Sequence, residues 1–327
     1  MSQPLVSIIC LCYNHQDYVA ETLASVWKQD YGNIEVFIVD DRSSDGSVDT
    51  IQNFLTTNPC PYSCKTLFLE KNIGNCAAFN RAWRMARGKY VIDLATDDVI
   101  LPNRVSAQVD YFEQLPEEYG VLFTESQYID ADGKPLEHHF GQQYKHIRPI
   151  PTGDVYQEVV ARYFISSPTM MYKNEVLHDL NGYDEALAYE DFDFWVRSAR
   201  KYKYAYLKEC TTLVRRLENS MSRKLYERND RQLFSTYLVC KKVYELNETK
   251  EENNALVRRL NYELRHTLLT NNYSEANQFL ALLKEIKGNL LRYKFIGLLI
   301  YVKPNLCFLR KRIWLYSGKI AVINIFN

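Results

Sequence analysis

Residues 4–41 read PLVSIICLCYNHQDYVAETLASVWKQDYGNIEVFIVDD, and this stretch decides the fold. Leu5–Cys12 is a short, mostly apolar run that stops at Tyr13-Asn14, the mark of a buried strand. From Asp17 to Trp27 the apolar residues Val19, Leu23, Val26 and Trp27 fall at helical spacing. Ile34–Val39 is a second apolar run, ending at Asp40-Asp41. A strand that is apolar on both faces needs cover on both, and parallel sheets with crossover helices supply it.

The alternation continues outward. Val48–Leu55 reads as a helix, Thr66–Leu69 as a strand, Ala77–Ala86 as a helix and Tyr90–Ala95 as a strand. This predicts an α/β fold, Rossmann-like, with a mostly parallel sheet flanked by helices. Past residue 100 the pattern loosens. Arg104–Leu115 and a segment near 154–164 read as helices, Val121–Thr124 and Thr169–Tyr172 as strands, and 137–152 as a loop. Another helix begins around Glu190. From about Leu225 the chain turns strongly helical. The expected organisation is one domain over 1–224 and a helical C-terminal extension over 225–327.

Composition bounds the function. The chain has 327 residues, 46% of them hydrophobic, ample for a buried core. Lys+Arg and Asp+Glu number 40 each, a balance that argues against a general nucleic-acid binder. The balance is uneven along the chain. From Ile286 to the end there are 8 basic residues and no acidic one, so an acidic body is offset by a basic tail. None of the 8 cysteines has CxxC spacing, and a chain of this size needs no disulfide staples. They read as reduced thiols of a cytoplasmic protein, with a Cys60–Cys64 bridge disfavoured. No leader peptide and no run of ~20 apolar residues is visible.

In an open parallel sheet, ligands bind beyond the carboxyl ends of the strands. Four such ends carry polar residues here: Tyr13-Asn14, Asp40-Asp41-Arg42-Ser43, Asn72-Ile73-Gly74 and Thr96-Asp97-Asp98. Each alone could be a turn or a helix cap; together they point to a site. Asp97 and Asp98 are adjacent, so in an extended segment their carboxylates face opposite ways. One could hold a ribose and the other a Mg2+ or Mn2+ ion, which favour oxygen ligands. There is no GxxxxGK[ST] and no GxGxxG after the first strand, which argues against ATPases and dinucleotide dehydrogenases.

The segments VSIICLCYN (Val6–Asn14), VFIVDDRSSDGS (Val36–Ser47), NIGNCAAFNRA (Asn72–Ala82), ATDDVILPNR (Ala95–Arg104) and NGYDEALAYEDFDFWVR (Asn181–Arg197) resemble the successive motifs of family 2 glycosyltransferases with the GT-A fold. The resemblance covers about residues 4–223. It implies an inverting, metal-dependent transfer of a sugar from a nucleotide-sugar, with UDP the expected nucleotide, to a glycan or lipid-linked acceptor in cell-surface polysaccharide synthesis. It further implies Tyr13 beside the base, Asp41 bonded to uracil, Asn72 near base and diphosphate, and Asp97 on the ribose. Asp98 would bind the Mn2+ or Mg2+ ion, and Asp191 would be the general base. Two positions depart from the pattern. Leu11 replaces a small polar residue, and Leu217-Glu218-Asn219-Ser220 lacks the His of an HxxS-like segment. A catalytically inactive nucleotide- or glycan-binding member and a sugar-1-phosphate nucleotidyltransferase are the competing readings. The turn Tyr13-Asn14-His15-Gln16 is poor in the Gly, Arg and Lys that the latter needs.

Residues 287–327 interleave basic with aromatic and aliphatic side chains. Such a mixture suits peripheral contact with the inner face of a membrane, or a helical cap with solvated charges.

Overall fold

The computed structural model describes residues 3–141, 144–218, 226–227 and 231–307. They fall in two compact units, one of residues 1–155 and 164–218, the other of 156–163 and the residues after 218.

The first unit is built on a nine-stranded sheet. Its strands are β1 (Val6–Cys12), β2 (Ile34–Asp40), β3 (Ser63–Phe68), β4 (Tyr90–Ala95), β5 (Val99–Ile100), β6 (Tyr119–Ile129), β7 (Pro135–His138), β8 (Met171–Lys173) and β9 (Lys203–Arg215). They lie in the order β3-β2-β1-β4-β8-β6-β9-β5, with β7 beside β6. Strands β1 to β4 pair in parallel, Cys12 opposite Asp40 and Leu11 opposite Ala95. Strand β8 joins β4 and β6 in antiparallel sense. The expected mostly parallel α/β sheet is what forms.

Every residue of β1 and β2 is buried, as their unbroken apolar runs require. Helices α1 (Val19–Trp27), α2 (Ser47–Thr57), α3 (Asn75–Trp83) and α4 (Arg104–Phe112) follow successive strands. Ile8, Val36, Ile38 and Ile92 pack with Leu23, Val26 and Ile51 of the helices in one core. Each such side chain contributes about 1.5–3 kcal/mol by leaving water. Strand β3, at the sheet's edge, is half-exposed, and its sequence is correspondingly more polar.

Strand β9 went unread in the sequence. Its pairing with β6 runs Leu207 opposite Thr124 and then Cys210 opposite Glu125, so Lys208 and Glu209 bulge out. The bulge breaks the two-residue period by which a strand is recognised. Two further helices, α6 (Asn174–Leu180) and α7 (Asp191–Ala199), complete this unit.

The second unit gathers α5 (Tyr156–Ala161) with α8 (Arg231–Leu246), α9 (Lys250–Leu269), α10 (Tyr273–Lys287) and α11 (Leu291–Val302). Segment 156–163, inside the span that sequence gives to the first domain, folds with these helices. Arg259 holds it there: Nε donates to the Val160 carbonyl (3.0 Å), and the guanidinium stacks on Tyr163 at 3.8 Å. Helix α9 opens with a reciprocal cap between Thr249 and Glu252. No described helix is long and apolar enough to cross a membrane.

Candidate active site at the carboxyl edge of the sheet

The loops after β1 and β2 are laced together. Asn14 takes a left-handed backbone (φ 59°), its N–H donates to Ser43 Oγ (2.9 Å), and its Oδ1 accepts from the Ser44 N–H (2.7 Å). Asp40 turns inward and accepts from the Ser43 N–H and hydroxyl. Tyr13 is left 49% exposed, its ring open to a ligand.

Asp41 organises the next loop. Its two carboxylate oxygens accept from the N–H groups of Ile73 (2.7 Å) and Gly74 (2.8 Å), and its carbonyl accepts from Asn72 Nδ2 (3.0 Å). Burial pushes the Asp41 carboxyl upward, and the two amides pull it back. A carboxylate has about four acceptor positions, so the remainder stay free for a ligand. Gly74 has φ +86°, a left-handed value that a side chain would strain just before α3.

The third cluster follows β4. His15 Nδ1 lies 2.9 Å from Thr96 Oγ1, and His15 Nε2 is 3.9 Å from Asp97 Oδ2. Among the described residues the Asp97 carboxylate has no hydrogen bond, and its side chain is 15% exposed. Asp98 is different. It is buried, and Oδ1 accepts from the Arg215 N–H (2.8 Å). Burial first, and then the charge of Asp97, push the Asp98 carboxyl well above the ordinary range. Arg215 clamps this end of the sheet, donating to the carbonyls of Asp97, Asp130 and Ala131 and pairing with Glu21 at 2.6 Å. Asp97 and Asp98 lie in the turn between β4 and β5, and of the two side chains Asp97 is the more open.

The fourth cluster starts α7. Ser167 Oγ donates to Asp191 Oδ2 (2.9 Å), while Asp191 Oδ1 is buried and makes no well-formed hydrogen bond among the described residues. Burial and the neighbouring Glu190 charge raise the Asp191 carboxyl well above its ordinary value. Glu190 itself accepts from Asn75 Nδ2 (2.6 Å), which ties α7 to the start of α3. Gly182 lets Tyr183 reach this region: a Cβ there would collide with the Asn80 amide, which bonds the Tyr183 backbone. The Tyr183 hydroxyl then donates to Asp93 Oδ2 (3.1 Å).

The six residues singled out in the sequence thus lie on loops at the carboxyl edge or at the start of α7. His15, Ser167 and Arg215 bond into these clusters from other elements, while Asp93 accepts from Tyr183 and Glu190 from Asn75. His15 had one legible signal, its place just past β1; Arg215 stands beside the stretch that lacks the HxxS-like His, which makes it, with Arg216 and Arg223, a candidate substitute for that His, but its place on β9 was not legible. The HxxS-like stretch lies partly outside the described residues. No group of three or more His, Cys, Asp or Glu side chains with metal-binding geometry occurs among the described residues.

Comparison with known proteins supplies the family. Residues 7–183 match the model of glycosyl transferase family 2. A Bacillus subtilis glycosyltransferase named for teichuronic acid biosynthesis, TuaG, is 28% identical over 221 residues, 67% of this chain and 82% of that one. Some other curated relatives are longer chains, of which the match spans as little as 28%. Staphylococcus aureus TarS 1-349, solved with UDP-GlcNAc, superposes over 99% of this chain and 97% of its own, with a TM-score of 0.69 at 17% identity. The mannosyltransferase PcManGT of Pyrobaculum calidifontis, solved with GDP-Man and Mn2+, does so over 98% and 82%, with a TM-score of 0.63 at 16% identity. The fold is shared with both. With the family model covering more than half of its length, the chain belongs to glycosyl transferase family 2.

Proposed function

We propose that this glycosyltransferase moves a sugar from a UDP-sugar to a hydroxyl of a glycan or lipid-linked acceptor, inverting the anomeric centre, in the synthesis of a cell-surface polysaccharide. The observation that carries the reading is the Asp191 carboxyl. It has one buried oxygen that makes no well-formed hydrogen bond among the described residues, and an affinity for protons above the carboxylate norm. Both are properties of a general base. The acceptor hydroxyl attacks the anomeric carbon from the side opposite the diphosphate. Its proton passes to Asp191, and the electron pair of the broken C–O bond leaves with the diphosphate.

The donor is held at the strand ends. Tyr13 offers its ring to the base, Asp41 accepts from the uracil N–H, and Asn72 borders base and diphosphate. A Mn2+ or Mg2+ ion would offset the charge of the departing diphosphate. The residues fit such an ion, because the Asp97 carboxylate makes no hydrogen bond among the described residues, with His15 Nε2 at 3.9 Å, and these metals take only one or two protein carboxylates beside substrate phosphates. We assign the metal to Asp97, with Asp98 fixing the strand end through the Arg215 N–H. The metal in the PcManGT complex and the nucleotide in the TarS complex support this reading by analogy. The surface-polysaccharide context rests on the resemblance to TuaG.

The test is Asp191→Asn, assayed by UDP release from a panel of UDP-sugars and by UDP titration. Lost turnover with retained UDP binding is expected. Turnover at the wild-type rate would remove Asp191 from the mechanism.

A further inference from the structure

We propose that the outer face of α11 docks on the surface of an anionic lipid bilayer. This helix is apolar on two opposite sides. Tyr293, Ile296 and Ile300 are buried within the helical unit. Leu291, Phe295, Leu298 and Val302 recur at i, i+4, i+7 and i+11, which places them together on the other side. They are 84%, 57%, 56% and 60% exposed. A helix that is apolar all round is ordinarily buried all round. Here one side is covered, and a stripe of four large apolar side chains faces water among the described residues. Contiguous apolar stripes bordered by charge mark interaction surfaces.

The charges choose the occupant. At 3.6 residues per turn, Lys294 and Tyr301 border the stripe on one flank and Arg292 on the other, and Lys303 caps its carboxyl end. Lys294, Tyr301 and Lys303 are exposed. Long cationic side chains in this position lay their stems along apolar surface and carry their charge up to phosphate headgroups. A tyrosine ring suits the same interfacial level. From Ile286 onward the sequence holds 8 basic residues and no acidic one, so the whole segment complements an anionic surface. A second copy of this chain would bring two uniformly basic segments together and is disfavoured by repulsion. The pattern continues in sequence through Arg310, Lys311 and Arg312 beside Ile313 and Trp314, which lie outside the described residues. Helix α11 has 12 residues, about 18 Å of length, so it lies on a bilayer and does not span one.

The test uses the full chain in co-sedimentation with phosphatidylcholine vesicles, with and without phosphatidylglycerol. Wild type is expected to partition at least about tenfold more strongly onto the anionic vesicles, with the preference lost at high salt. Phe295→Ser/Leu298→Ser should lower that partition at least about tenfold. Lys294→Glu/Lys303→Glu should abolish the preference for phosphatidylglycerol. Both double variants should keep the wild-type response to UDP, which reports a folded donor site and separates this proposal from the donor reading. Should the serine pair unfold the helical unit, the charge-reversal pair carries the test alone. Absence of wild-type binding to either vesicle overturns the proposal. So does wild-type partition by the folded variants, or a wild-type dimer that the serine pair dissolves in place of vesicle binding.

Discussion

Asp191 and Glu263 are carboxyls withdrawn from water in different parts of the chain, and their surroundings treat them oppositely. Glu263, on α9, is 1% exposed and meets a cation: Arg259 NH1 lies 3.4 Å away, and the Tyr226 hydroxyl donates to its other oxygen at 2.7 Å. Burial pushes its carboxyl up, and Arg259 pulls it back. Asp191 has no cation among the groups that shift it. Burial, Glu190 and Asp93 all push its carboxyl up, and only the Ser167 hydroxyl opposes them. One network is closed on itself and fixes a fold; the other leaves an oxygen without a well-formed hydrogen bond among the described residues and ready for a proton.

The largest expected effect breaks the comparison at its reactive end. Asp191→Asn should cut transfer about 10²–10⁴-fold, the range of a lost general base, with UDP affinity nearly unchanged. Turnover and calorimetry check the two halves. In wild type, activity should climb as pH rises through the raised pKa of Asp191, because the base must be unprotonated to act. A flat pH profile would count against the role.

At the closed end, Glu263→Ala strands the Arg259 guanidinium and should cost about 3–5 kcal/mol of stability, read by denaturant unfolding. A cost below about 1 kcal/mol would mean that the pair is not buried as described. Tyr13→Ala should weaken UDP binding about tenfold or more, if its exposed ring stacks on the base.

The smallest effect sharpens the contrast in sign. A carboxyl whose pKa is raised by folding stabilises fully below its unfolded pKa, and that contribution is lost as pH rises through the folded pKa. Asp191→Asn removes this loss. Its melting temperature should equal or exceed that of wild type above neutrality, and the gain should vanish in acid. A variant less stable than wild type at high pH would show that Asp191 holds the fold.

Strands β1 and β2 were legible in sequence because each is a nearly continuous apolar run with turn residues at its carboxyl end. Helix α7 was legible from Phe192, Phe194, Trp195 and Val196, all buried. Strand β9 was hidden by the Lys208-Glu209 bulge. Asp97 and Asp98 lie in the turn between β4 and β5, so strand alternation does not fix the phase of their carboxylates. That phase is set by the Arg215 N–H, 117 residues away in sequence. The Asn75–Glu190 and His15–Thr96 bonds are of the same kind: spacing records periodicity within an element, and these contacts join elements. The covered and uncovered sides of α11 were equally invisible, since both are apolar.

The central claim is a donor site at the carboxyl edge with the Asp97 carboxylate holding the metal. Calorimetric titration of UDP in Mn2+ and then in EDTA tests it most directly, on wild type and Asp97→Ala. The account predicts Mn2+-dependent binding to wild type that disappears in EDTA and in the variant. Binding of equal strength in all three cases, or none to wild type with Mn2+, would contradict it.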